Sequence, residues 1–352
     1  MNPFVFVAHP SRVVFGAGSL AQLGREIERL GARRALVLAT PEQADSARQV
    51  AEMLGSRAAG VFAKAAMHVP IETAREARDE ALRLGADCAV AIGGGSTTGL
   101  GKAIALESGL PIVAIPTTYA GSEVTSIYGL TEGGVKRTGR DARVLPRTVI
   151  YDPELTLTLP IGMSVTSAMN AIAHAAEGLY AHDGNPVVSL LAEEGIRAIA
   201  AALPLLNLEP RNLGARGDAL YGAWLCGQVL GAVAMGLHHK LCHTLGGTFN
   251  LPHSEVHTVI LPHALAYNAG NAAPAMQRIA RALGAPSAAA GVFDLARRHG
   301  APMALKDIGM DAHGLDRAAD LAVQNQYPNP RPLERAAIRE LLQRAFDGTS
   351  PD

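Results

Sequence analysis

The hydrophobic pattern of this chain changes period once, near Asp152-Pro153. Before that point short β-branched runs recur at Phe4–Val7, Arg12–Phe15, Ala35–Leu38, Cys88–Ile92, Ile112–Ile115 and Thr148–Tyr151. Helical patterns lie between several of them, at Leu20–Leu30, Ala44–Leu54 and Glu72–Leu84. That rhythm predicts an α/β layer around a largely parallel sheet. After the change, helical periodicity runs to the end, broken by Pro186, Pro204, Pro210, Pro252, Pro286 and Pro302. We therefore expect two domains, an α/β domain over 1–155 and an all-helical domain over 156–352. A length of 352 residues agrees with two, at roughly 100–200 residues each. An α/β domain facing a helical one makes a cleft, where ligands most often sit.

Composition excludes several classes of function. Hydrophobic residues make up 48% and charged residues 18%, so the chain can bury a large core. With 31 basic against 32 acidic side chains the net charge is −1, which argues against a nucleic-acid partner. Apolar stretches are interrupted by Gly, His or charge before about 18 residues, so no membrane span is expected. The first ten residues lack a basic region ahead of an apolar run, unlike a secretion signal. Cys88, Cys226 and Cys242 are odd in number and widely spaced, which fits a reduced, cytoplasmic setting.

Two segments carry the chemistry of a nucleotide site. The buried-looking run Cys88–Ile92 enters Gly93-Gly94-Gly95-Ser96 and then a helix expected from about Thr97 to Leu106. Free N–H groups and the helix dipole there favour an anionic oxygen, typically a phosphate. A plain strand-to-helix turn is the alternative. The turn is neither a GxGxxG nor a P-loop, because Lys102 lies too far along the helix. The second segment is Ile112–Ile115 followed by Pro116-Thr117-Thr118-Tyr119-Ala120-Gly121-Ser122-Glu123. Hydroxyls at the carboxyl end of a parallel strand sit where open α/β sheets bind ligands. Together the two favour a dinucleotide.

The helical half carries the imidazoles. Asn170 and His174 are i,i+4 on one helix face, as are His239 and His243, and His253 follows ten residues later. Five histidines fall between 238 and 257. A lone helical histidine is usually structural, but this density favours a site. Three histidines can hold a divalent metal without a carboxylate, so charge alone leaves a metal open.

These strings are specific enough to identify a family resemblance. Gly93–Ser96, Pro116–Glu123, Tyr151–Thr156 and His239-x3-His243-x9-His253 resemble the iron-containing alcohol dehydrogenase superfamily, over nearly the whole chain. Within it, Gly93–Leu106, Pro116–Gly129 and Gly133–Pro153 are most similar to the maleylacetate reductases. The resemblance implies a dehydroquinate synthase-like fold, a homodimer, and NADH or NADPH as cofactor. It assigns Thr40, Gly94, Gly95, Ser96, Thr117, Thr118, Ser122 and Lys136 to the cofactor. Asn170, His174, His239, His243 and His253 would bind a dicarboxylate substrate, with His243 and His253 as donor or proton source. Metal-dependent relatives have an aspartate ligand where this chain has Asn170, and another aspartate where it has Gly99. Because the anionic ligand is lost, and maleylacetate reductases are regarded as metal-independent, no metal is expected. The expected reaction is reduction of the maleylacetate C=C bond to 3-oxoadipate in aromatic-compound degradation. A metal-dependent alcohol dehydrogenase and a non-catalytic nucleotide-binding module are the alternatives.

Overall fold

The computed structural model describes residues 4–8, 11–133, 135–325 and 327–351, except for the side chains of 135 and 136. Two units emerge. One comprises Ala8–Leu159 with Arg211–Leu220, the other Met1–Val7, Pro160–Pro210 and Tyr221–Asp352.

In the α/β unit the runs Cys88–Gly93 and Ile112–Pro116 are buried at every position, as central parallel strands require. In chain order the strands are β1 (Arg12–Phe15), β2 (Ala35–Leu38), β3 (Ala58–Phe62), β4 (Cys88–Gly93), β5 (Ile112–Pro116), β6 (Ile127–Glu132), β7 (Val135–Arg140) and β8 (Thr148–Tyr151). Six of them form one sheet in the order β1-β8-β5-β4-β2-β3, every pair parallel. β6 and β7 pair separately as an antiparallel hairpin. The helices are α1 (Leu23–Arg29), α2 (Ala44–Leu54), α3 (Ile71–Arg83) and α4 (Gly95–Ser108). Leu23, Ile27, Val50, Val90 and Val113 build one core layer; Leu36, Leu38, Leu100 and Ile104 contribute to another.

The strand order reverses beside β2. The chain runs outward from β2 to β3, then returns to β4 on the other side of β2. The carboxyl ends of β2 and β4 therefore flank a topological switch point, the usual ligand crevice of an open α/β sheet.

The helical unit holds α5 (Ile161–Leu179), α6 (Pro186–Leu208), the later turns of α7 (Leu213–Ala232), α8 (Leu237–Phe249) and α9 (His253–Asn268). α10 (Ala273–Leu283), α11 (Ala288–Arg298), α12 (Leu315–Ala322) and α13 (Arg335–Asp347) complete it. α5 packs on α6 and α9, and α8 packs on α9. Asn250 closes α8 in the left-handed region at φ 55°, and Leu251-Pro252 leads straight into α9. That short link sets the histidines of α8 beside those of α9. Among the described residues no single helix is long and apolar enough to cross a membrane.

Several expectations need correction. Phe4–Val7 forms no strand: Val5 is 84% exposed, and no neighbouring strand receives its backbone. The helix after the glycine turn starts at Gly95 rather than Thr97, because Gly94 already takes the N-cap position. The segment expected as a helix from Leu20 is a 3-10 turn over Ser19–Gln22 followed by α1.

Candidate functional site

At the switch point, Gly93 sits at φ 151°, a conformation that disfavours any side chain. A methyl there would also strike Thr97 Oγ1 and come within 2.6 Å of Gln43 Oε1. At Gly94 it would lie 3.1 Å from Thr118 Oγ1. The backbone is thus kept bare where α4 begins, and Thr97 Oγ1 is buried there without a partner. Gln43, just past β2, donates a 2.9 Å hydrogen bond to Thr117 Oγ1, just past β5. The turns after β2, β4 and β5 are therefore tied into one crevice, which contains Thr40, Gly94, Gly95, Ser96, Thr117 and Thr118. Thr40 holds the N-cap position of the 3-10 turn Pro41–Gln43 without a side-chain capping bond. The exposed Glu42 carboxyl is held below its ordinary value by a backbone N–H and by the Thr40 hydroxyl. Ser122 opens a second 3-10 turn, Ser122–Val124. Lys136 pairs with Thr131 across the hairpin, but its side chain lies outside the described residues. At Gly99 a Cβ would come within 2.7 Å of Val69 Cγ2, so a side chain there would require Val69 to shift.

In the helical unit the sequence-predicted polar residues do converge. Asn170 and His174 on α5 are buried, with Asn170 Oδ1 and His174 Nδ1 unpartnered. The His174 ring stacks on His239 of α8 at 5.1 Å between centroids. His239 lies 6.2 Å from the exposed His243 ring, and the half-buried His253 lies 4.5 Å from His257. Burial, then the neighbouring imidazoles, pushes His174 well below the ordinary histidine range. It is therefore neutral near pH 7 and keeps a lone pair.

Glu177, which the sequence reading missed, organises this cluster. It lies one turn beyond His174 on α5 and is 1% exposed. One oxygen accepts from Gly236 N at 3.1 Å, His239 N at 3.2 Å and His239 Nδ1 at 2.6 Å. The other accepts from His238 N at 2.9 Å and Tyr180 Oη at 3.3 Å. The first amides of α8 thus end on a carboxylate, which also suits the helix dipole. Since a carboxylate only accepts, His239 carries its proton on Nδ1, leaving unpartnered Nε2 as an acceptor. The i,i+3 spacing of His174 and Glu177 was the available signal.

A second missed group lies behind these residues. His238, Cys242 and His257 are all buried, and their ligand atoms fall within 4.8 Å of one another. His238 Nε2 is 2.9 Å from His257 Nδ1, and Cys242 Sγ is 3.6 Å from His238 Nε2. Tetrahedral ligands at about 2.0–2.3 Å from a metal stand roughly 3.3–3.6 Å apart, so the Cys242–His238 edge already matches, while the histidine pair would have to open. Burial pushes both His238 and His257 well below the ordinary range, which keeps them neutral as ligands must be. Burial and Glu177 raise the Cys242 thiol, a proton that metal binding would displace. Cys242 one turn after His238 was the legible sign.

The chain matches the family described as iron-containing alcohol dehydrogenase over residues 10–153. Over 164–346 it matches the Fe-containing alcohol dehydrogenase family, C-terminal. It is 72% identical over 351 residues to a maleylacetate reductase of Burkholderia cepacia, covering 100% of both chains. A maleylacetate reductase of Sphingobium indicum is 57% identical, with 99% of both chains covered. The crystal structure of maleylacetate reductase from Agrobacterium tumefaciens superposes with a TM-score of 0.96 at 56% identity, again over 100% of both chains. The expectation of no metal is corrected on two grounds: the family is an iron-containing one, and the His238–Cys242–His257 set offers suitable donors. Asn170 removed one carboxylate from the expected ligand set, but neutral nitrogen and sulfur donors lie next to it. Matched from its first strand to its last helix, the chain belongs to the iron-containing alcohol dehydrogenase family.

Proposed function

We propose that this chain is a maleylacetate reductase, reducing the C=C bond of maleylacetate to 3-oxoadipate with NADH or NADPH. The carrying observation is full-length identity of 72% to a maleylacetate reductase. Residues 1–155 serve the cofactor and 156–352 the substrate.

Thr40, Gly94, Gly95, Ser96, Thr117, Thr118, Ser122 and Lys136 hold the dinucleotide, its pyrophosphate at the α4 N-terminus. Thr40 carries no charge against a ribose 2′-phosphate, so both cofactors are accepted. When bound, the reduced nicotinamide supplies a hydride, and a divalent ion at His238, Cys242 and His257 would supply Lewis-acid polarisation. The alkene of the substrate is conjugated to a ketone. Addition of hydride at the carbon β to that ketone moves the alkene pair towards the ketone oxygen, giving an enolate. Asn170, His174 and His239 line the pocket, where the Asn170 NH₂ can donate to a substrate carboxylate. His243 or His253 donates a hydrogen bond to the enolate oxygen and gives the proton to the carbon α to the ketone. The surrounding buried side chains keep water from competing for the charge.

The subunit acts as a homodimer in the cytoplasm. Exposed Phe4, Val5, Phe6 and Val7 would be covered by a second copy, and three buried free thiols suit a reducing compartment. Decay of reduced-nicotinamide absorbance with maleylacetate, compared with simple alcohols plus NAD⁺, tests the reading. Turnover of alcohols alone would favour an alcohol dehydrogenase.

A further inference from the structure

Lys102 is a charged side chain on the inward face of α4, 1% exposed, and no step of the proposed reaction uses it. Its Nζ donates to Ser122 O at 2.7 Å, Ile127 O at 2.7 Å, Thr125 Oγ1 at 3.0 Å and Ser122 Oγ at 3.2 Å. Three N–H bonds therefore serve four oxygens, all from the segment that leaves β5 and enters β6. Thr125 completes the cage: its hydroxyl donates to Ser122 O at 3.0 Å and accepts from Ile127 N at 3.3 Å. Glu123 is also buried inside this segment and accepts a 2.7 Å hydrogen bond from Tyr151 Oη.

Burying an ammonium is costly, and a well-packed apolar side chain of the same length often serves stability as well or better. Desolvation is severe enough to lower Lys102 to about 7, with Glu123 opposing that shift. An expensive cation that binds only one loop asks for a purpose beyond packing. The loop supplies one: Ser122 follows β5, and α4 carries the phosphate turn of Gly94 and Gly95 at its N-terminus.

We propose that Lys102 is a positioning residue for the dinucleotide, clamping the Ser122–Ile127 segment to α4 so that the turns after β4 and β5 keep one cofactor-binding shape. The inference rests on the cofactor reading above. Lys102 does not touch the cofactor; it acts through Ser122.

The test is NADH affinity by fluorescence titration, without substrate, on wild type, Lys102→Met and Thr125→Val, with melting curves alongside. In Lys102→Met the NADH dissociation constant should rise about tenfold or more. At saturating NADH, kcat and the KM for maleylacetate should stay within about threefold of wild type. Thr125→Val, which loses one cage acceptor, should weaken NADH about threefold and carries the test if the methionine variant does not fold. A folded Lys102→Met, or in its place Thr125→Val, that binds NADH like wild type overturns the role of Lys102. Wild type that binds neither NADH nor NADPH overturns the cofactor reading itself, and the clamp with it.

Discussion

Glu177 Oε2 lies 2.6 Å from His239 Nδ1, and the same carboxylate takes the amides of residues 236, 238 and 239. One acid thus fixes both the start of α8 and the tautomer of an imidazole at the candidate site. Glu177→Gln would turn an NH₂ towards at least one of these donors. We expect a loss of about 3 kcal/mol in stability by urea denaturation. In the folded fraction, kcat should fall about tenfold or more, the usual cost of removing a carboxylate behind a functional histidine. Wild-type stability and kcat in Glu177→Gln would remove the carboxylate from the account.

At the phosphate turn, Gly95 has room for a Cβ, with Ala120 Cβ 4.0 Å away. The Cβ of a substituted residue is thus tolerated, and a branched side chain on it would stand over the first N–H groups of α4. Gly95→Val should weaken NADH about tenfold or more by fluorescence titration while the melting temperature changes little. Unchanged affinity would move the pyrophosphate away from this turn.

The sheet was largely legible from sequence because β4 and β5 are continuous apolar runs buried at every position. β3 was not, since Ala58–Phe62 is a half-buried edge strand containing Gly60. The hairpin of β6 and β7 escaped for a similar reason: Ile127–Arg140 mixes charge, glycine and threonine, and stands apart from the main sheet. Phe4–Val7 has strand-like residues and no strand, because pairing depends on a neighbour that local sequence does not encode. In the site, Asn170, His174 and His239 stood out by helical spacing. Glu177 did not, because an acid in an otherwise apolar helix looks like a solvent-facing position until α8 is packed against it.

His263 on α9 is buried, and burial, reinforced by Arg344, lowers it to about 4. It is neutral in the folded chain and gains a proton more readily when unfolded, at about 6.5. Its contribution is present above pH 6.5 and is lost as pH falls towards 4, by up to ~3 kcal/mol. Urea denaturation at pH 7 and pH 5 should find wild type losing more stability on acidification than His263→Leu. Equal losses would show that His263 is not buried as described.

Cys242 and its two histidines can be tested with a spectroscopic metal. Titration with Co²⁺ should give a thiolate-to-cobalt absorption band in wild type that Cys242→Ala lacks. No band in wild type would make His238, Cys242 and His257 a hydrogen-bonded core cluster rather than a ligand set.

The central claim is that hydride enters a carbon–carbon double bond. It is tested by reducing maleylacetate with NADH deuterated at the transferred position and reading the product by NMR. The account predicts 3-oxoadipate with one deuterium on the methylene β to the ketone, next to the terminal carboxylate, and a solvent proton on the carbon α to the ketone. Deuterium on a newly formed carbinol carbon would mean that the ketone is reduced instead, and would contradict the account.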